Sequence, residues 1–155
     1  MCGILGISHD INKDAFLSGH TKNSFLVAFK ESLSALDHRG PDGSGSELFF
    51  DKGVFLGHTR LAIQDLTGSG AQPMSNDSKS LVITFNGEIY NFPLLKKNLE
   101  CLGYTFSSNT DTEVILKLYE EYGLDCFAML DGIFSIGLFD REKNQLIISR
   151  DGLGI

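Results

Sequence analysis

The apolar positions of this chain divide it into short strands and three helices. Gly3 to Ile7 reads as a short buried strand, and residues 8–22 as a polar, weakly patterned loop. Phe25, Leu26, Phe29, Leu33 and Leu36 then recur at helical spacing, with Asn23 or Ser24 in the N-cap position. Arg39-Gly40-Pro41-Asp42-Gly43 is turn chemistry throughout. Residues 47–50 and 54–56 flank Asp51-Lys52-Gly53 as a hairpin. Residues 59–66 read as a strand, 67–74 as a loop, and 81–85 as a further strand ended by Asn86-Gly87.

In the second half, Pro93 opens a helix at the first-turn position that proline tolerates. Leu95, Leu99 and Leu102 form its apolar stripe and Gly103 its stop. Asp111-Thr112-Glu113 starts another helix, with Thr110 or Asp111 as cap and Val114, Ile115, Leu118 and Tyr122 on its apolar side. Acidic residues in that first turn suit the helix dipole. Residues 133–139 and 145–149 are apolar strands joined by the charged turn 140–144. The near-continuous apolar run from Ile133 to Phe139 predicts a strand covered on both faces. Hairpins with segregated helices give an α+β class with antiparallel sheets, and two packed sheets with helices outside is one arrangement that satisfies it.

Composition narrows the function classes. The 155 residues suffice for one domain with a substantial core. A net charge of −7, from 13 basic and 20 acidic residues without a basic block, disfavours nucleic acid and anionic membrane as partners. No apolar run reaches the length of a membrane span, and the apolar start is too short for a secretory signal. Cys2, Cys101 and Cys126 are odd in number and scattered, which argues against a disulfide framework or a zinc site. His9, His20, His38 and His58 show no ligand spacing, so no metal is expected. A cytoplasmic, reduced setting follows.

The candidate chemistry begins at Cys2. Were Met1 removed, this residue would carry a thiol and a free α-amine, a nucleophile and a base a few ångströms apart. Their reference pKa values, roughly 8.5 and 7.7–8.0, make proton transfer between them cost only about 1 kcal/mol. The same logic activates N-terminal threonine nucleophiles. A small core cysteine at a strand start is the plainer reading. Asn86-Gly87 is either a tight-turn pair or a side-chain amide and backbone N–H that converge as an oxyanion hole. Arg60 is either a surface charge or a carboxylate fork. Asp111 is either a helix cap or a partner for a ligand ammonium.

Taken together, these residues resemble a known family. Met1-Cys2-Gly3-Ile4, Leu36-Asp37-His38-Arg39-Gly40-Pro41-Asp42-Gly43, Gly57-His58-Thr59-Arg60-Leu61-Ala62-Ile63, Gln72-Pro73-Met74, Phe85-Asn86-Gly87-Glu88-Ile89-Tyr90-Asn91, Asp111-Thr112-Glu113 and Leu130-Asp131-Gly132-Ile133-Phe134 resemble the class II glutamine amidotransferases. Seven blocks in family order across the chain carry far more weight than any single motif. Leu61 stands where sister branches carry tryptophan, and the chain has no tryptophan at all. That resembles the glutaminase domain of the asparagine-synthetase branch.

The resemblance implies an N-terminal-nucleophile fold, a four-layer αββα sandwich of two antiparallel sheets between helices. It implies glutamine hydrolysis with Cys2 as nucleophile, its α-amine as base, and Asn86 with the Gly87 N–H as oxyanion hole. Arg60 would grip the α-carboxylate of glutamine, Asp111 and Glu88 would meet its α-ammonium side, and backbone of Leu61 and Ile63 would line the pocket. No cofactor is implied for residues 1–155. ATP and magnesium belong to a C-terminal synthetase domain that receives the ammonia in this family, and a homodimer is left open. Because the family continues past the motif Arg150-Asp151-Gly152-Leu153-Gly154-Ile155, the domain is expected to be incomplete here and its synthetase partner absent.

Overall fold

The computed structural model describes residues 2–9, 19–63 and 68–154. Two antiparallel sheets lie face to face with helices outside them. The first has the order β1-β3-β2, from Gly3–Ser8 (β1), Gly43–Phe49 (β2) and Val54–Arg60 (β3). The second has the order β4-β5-β6-β7, from Met74–Ser75 (β4), Leu81–Ile89 (β5), Gly132–Asp140 (β6) and Gln145–Arg150 (β7). The helices are Gly19–Ser34 (α1), Phe92–Cys101 (α2) and Asp111–Tyr122 (α3).

Period-two alternation sorts each strand between two layers. On β3, Gly57 faces α1: a Cβ there would press on Leu33 and Phe29 at 3.0 and 3.2 Å. Leu56 and His58 point the other way, to the second sheet. Val54 and Leu56 pack with Val82 and Phe139 between the sheets. On the far face of the second sheet, Ile83, Phe85, Ile136 and Leu138 bury against Leu95 and Leu99 of α2 and Ile115 and Leu118 of α3. Burying each such side chain fully is worth roughly 1.5–3 kcal/mol. The layer order is therefore α1, first sheet, second sheet, α2 with α3, the four-layer sandwich expected. β6 is covered on both faces, as its apolar run predicted.

His58 is sealed between the sheets with no exposed surface. Its Nδ1 lies 3.3 Å from the Thr84 hydroxyl, which in turn donates to the Gly57 carbonyl. Burial, aided by the charge of Arg60, lowers its pKa to about 4, so the ring is neutral.

Several element boundaries differ from the sequence reading. The helix expected from Asn23 or Ser24 starts at Gly19, so neither residue caps it, and Leu36 lies beyond its end. The break expected before Thr59 is absent, because β3 runs unbroken from Val54 to Arg60. The rest of the strand expected over 59–66 is not formed in residues 61–63, and residues 64–67 lie outside the described residues. β5 does not stop at Phe85 but continues through Asn86-Gly87 to Ile89. Leu102 caps α2 and is 54% exposed rather than buried. Tyr122 is likewise 38% exposed. Thr110 is the cap of α3, its hydroxyl accepting the Glu113 N–H at 3.3 Å.

Candidate active site

Cys2 precedes β1, and the pairing of Gly3 with Thr59 sets it beside the chain leaving β3. There the Leu61 N–H donates to Cys2 Sγ at 3.3 Å, while Sγ stands 3.7 Å from the Leu61 carbonyl. The Leu61 peptide is itself fixed by Asp42, whose N–H donates to the Arg60 carbonyl and whose carboxylate accepts the Ala62 N–H, both at 2.9 Å. Gly40 permits this approach, since a Cβ there would run into the Thr59 backbone. The Arg39–Gly43 turn thus braces the segment that carries both Arg60 and the sulfur's donor.

The opposite wall is the edge of β5 turned away from β6. In an antiparallel ladder the N–H groups of alternate residues point to one edge. β4 ends this pairing early: Met74 meets Ile83, and nothing of β4 reaches Phe85. The next groups along that edge are taken by side chains. The Phe85 N–H donates to Gln72 Oε1 at 2.6 Å, and the Ile89 N–H to Asp111 Oδ2 at 3.1 Å. Gly87 lies between them and directs its N–H to the same edge. It must be glycine, because a Cβ would run into the Ile133 carbonyl. Asn86 projects from the face that Thr84 shares, towards the first sheet. Its Oδ1 is buried without a hydrogen-bond partner.

Asp111 occupies the first turn of α3 and is 5% exposed. Burial raises its pKa to about 6, opposed by the Ile89 N–H and reinforced by the charge of Glu88. Behind it, buried Glu113 accepts the N–H and hydroxyl groups of both Ser107 and Ser108. Burial disfavours its charge, but these bonds prevail and hold its pKa below the ordinary value. They fix the loop that leads into Thr110 and Asp111.

These walls enclose a cleft of about 150 Å³. Cys2, Arg60, Leu61, Ile63, Asn86, Gly87, Glu88 and Asp111, all expected to form the site, line it together. The Arg60 side chain lies against Gly70, where a Cβ would run into its guanidinium. Ile63 is 67% exposed and stands at the mouth. The cleft therefore offers a thiol, an amide-lined edge, a guanidinium and two carboxylates. That pattern suits a small zwitterion bearing a carbonyl group. Among the described residues, no three His, Cys, Asp or Glu side chains gather to hold a metal ion. No described helix is long and apolar enough to cross a membrane.

Gly70, Gln72 and Thr112, which have no role in the sequence reading, also line the cleft, as does Thr110, expected there only as a helix cap. Gln72 was visible only as a member of the Gln72-Pro73-Met74 block. Cys126 lies outside the cleft, buried, its thiol pushed up to about 12 by that burial.

Comparison with known proteins agrees with the fold. The model of the glutamine amidotransferase domain family matches residues 1–155, and the chain belongs to that family. Among similar curated proteins, asparagine synthetase [glutamine-hydrolyzing] 1 of Arabidopsis thaliana is 42% identical over 158 residues. The enzyme of the same name from Lotus japonicus is 47% identical over 155 residues. Each alignment covers 100% of this chain but 24% of the relative, so the chain spans about a quarter of their length. Among solved structures, the glutamine phosphoribosylpyrophosphate amidotransferase of B. subtilis superposes with a TM-score of 0.56 at 24% identity. That superposition covers 66% of this chain and 24% of the amidotransferase, and shows the shared fold. An allosteric regulatory enzyme of purine biosynthesis gives a TM-score of 0.53 at 25% identity, covering 64% of this chain and 23% of its own.

Proposed function

We propose that this domain hydrolyses the side-chain amide of glutamine and feeds the ammonia to an asparagine-forming synthetase domain of the same protein. The observation that carries the reading is the convergence of Cys2, Arg60, the Asn86–Gly87 edge and Asp111 on one cleft. Arg60 binds the α-carboxylate of glutamine as a two-pronged fork. Asp111 and Glu88 bind the α-ammonium. The cleft then presents the side-chain carbonyl to Cys2, lined by the backbone of Leu61 and Ile63.

The Cys2 α-amine takes the thiol proton as the sulfur attacks the carbonyl carbon, forming a C–S bond while the C=O electron pair moves to oxygen. The Asn86 amide and the Gly87 N–H receive this oxyanion. When the pair returns, the C–N bond breaks and ammonia leaves with a proton from the Cys2 α-ammonium. The α-amine then takes a proton from water, which attacks the thioester; glutamate departs and the thiol is restored. The base exists only once Met1 is removed, since in the chain as written the Cys2 nitrogen is an amide. ATP and magnesium would serve the synthetase domain, which activates aspartate for amidation in a cytoplasmic ligase.

A second reading keeps the glutaminase and changes the acceptor to another carboxylate. The test uses the full-length protein: intact mass at the N-terminus, glutamate release from glutamine, and asparagine formation from aspartate and ATP. Loss of Met1, glutaminase activity and asparagine formation are expected. Cys2→Ala should abolish glutamate release while asparagine still forms from free ammonia. Glutamate release by Cys2→Ala at the parent rate would overturn the reading.

A further inference from the structure

Gln72 is held between the two walls of the cleft. Its Oε1 accepts the Phe85 N–H at 2.6 Å, one residue before Asn86. Its Nε2 donates to the Thr112 hydroxyl at 3.3 Å, one residue after Asp111. The carboxamide continues the sheet where β4 stops, since β4 supplies partners only as far as Ile83. A side-chain amide copies the peptide group that a longer β4 would place there, but occupies one position and then ends. The β5 edge at Gly87 is thereby left to the cleft. The backbone of Gln72 is seated as well, because its carbonyl packs on Gly45 of β2, where a Cβ would run into it.

We propose that Gln72 is a positioning residue for glutamine hydrolysis: its carboxamide sets the spacing between the oxyanion-binding edge of β5 and the ammonium-binding turn of α3. The argument is one of reach. The amide is short and rigid across its O–C–N fork, so both hydrogen bonds form together only at one separation of Phe85 from Thr112. Binding at Asp111 and attack at the carbonyl held by Asn86 and Gly87 are thereby coupled in a single substrate pose, and a misplacement of about 1 Å can cost on the order of 100-fold in rate. Loss of the Oε1 bond leaves the Phe85 N–H without its acceptor and frees the oxyanion edge. Loss of the Nε2 bond frees α3 alone. The two bonds therefore have separable kinetic signatures.

This inference rests on the glutaminase reading, and the test separates the two. In the full-length protein, the parent is first assayed for glutamate release and for labelling of Cys2 by a glutamine analogue with an electrophile at the side-chain carbon. A parent inactive in both overturns the glutaminase reading and this inference with it. With an active parent, Gln72→Leu should lower kcat about 10- to 100-fold and slow maximal labelling in parallel. Gln72→Glu, which keeps an oxygen for the Phe85 N–H, should hold kcat within about fivefold of the parent. Thr112→Val, which removes only the α3 bond, should raise the KM for glutamine about 3- to 10-fold with kcat little changed. A purely structural role would lower the melting temperature without this split between kcat and KM. Parent kinetics in Gln72→Leu, or the same kinetic change in all three variants, would overturn the proposal. Should Gln72→Leu not fold, the contrast between Gln72→Glu and Thr112→Val decides.

Discussion

The Leu61 N–H donates to the Cys2 sulfur at 3.3 Å across 59 residues of sequence. The proposed nucleophile is thus oriented by a peptide group, and that peptide group is oriented by a carboxylate, because Asp42 accepts the adjacent Ala62 N–H. Asp42 touches neither sulfur nor substrate in this scheme. Asp42→Ala should lower the rate of Cys2 alkylation by a small neutral electrophile about 3- to 10-fold, the worth of one modest hydrogen bond. Asp42→Asn keeps an oxygen acceptor and should lie between parent and alanine. Equal alkylation rates in all three proteins would show that the Leu61 peptide holds its place without this brace.

Asn86 gives a prediction in which stability and activity part company. Its buried Oδ1 has no partner, so the fold draws little from that end of the amide. Asn86→Ala should leave the melting temperature within a few degrees of the parent, or raise it. Loss of one oxyanion donor costs roughly 2.7–4 kcal/mol, so kcat for glutamine should fall by about two to three orders of magnitude. Thermal unfolding and steady-state kinetics on the same preparation check both halves. Unchanged kcat would remove Asn86 from the oxyanion site.

Gly70 packs against Arg60, the proposed carboxylate fork. A methyl group there would meet the Arg60 guanidinium and lie 3.2 Å from the Thr110 side chain. Thr110 is fixed as the cap of α3, so the arginine is what must move. Gly70→Ala should raise the KM for glutamine about tenfold or more, with a smaller effect on kcat, because a carboxylate fork is displaced rather than removed. Analogues lacking the α-carboxylate should not sense the substitution.

How much of this was legible in the sequence depends on the range of the forces involved. The start of α3 was clear, because Thr110 and Glu113 satisfy its first turn locally. β6 was clear because Ile133 to Phe139 is apolar on both faces. Asn86-Gly87 was ambiguous: by local propensity it is a turn, yet in the fold it is extended strand. Distant partners decide the matter, since Gln72 and Asp111 take the neighbouring N–H groups and the Ile133 carbonyl crowds the space a Cβ would need. The first turn of α1 was missed for the opposite reason. Gly19-His20-Thr21-Lys22-Asn23 contains no apolar residue, so no periodicity announces it. The eight expected site residues meet in one cleft, but Gln72 could not be singled out, because its partners are 13 and 40 residues away.

In the proposed reaction Asp111 would link substrate binding to pH. Burial raises its carboxyl from 3.8 to about 6, so the folded protein binds this proton more tightly than the unfolded chain does. Between about pH 4 and pH 6 this group therefore makes stability fall as pH rises. Above that window the buried charge is a standing cost of order 3 kcal/mol. A bound α-ammonium offsets the cost, and only the ionised carboxylate can supply that attraction. The KM for glutamine should thus rise about tenfold per unit as pH drops below about 6, and level off above it. Glutaramate, which lacks the α-amine, should inhibit without that dependence. Asp111→Asn keeps an oxygen for the Ile89 N–H and removes the charge. It should unfold at a higher temperature than the parent at pH 7.5 and lose that advantage below pH 4. Its KM for glutamine should be high and flat with pH. A variant that kept the parent's tight binding above pH 6 would show that the ammonium is held by Glu88 instead.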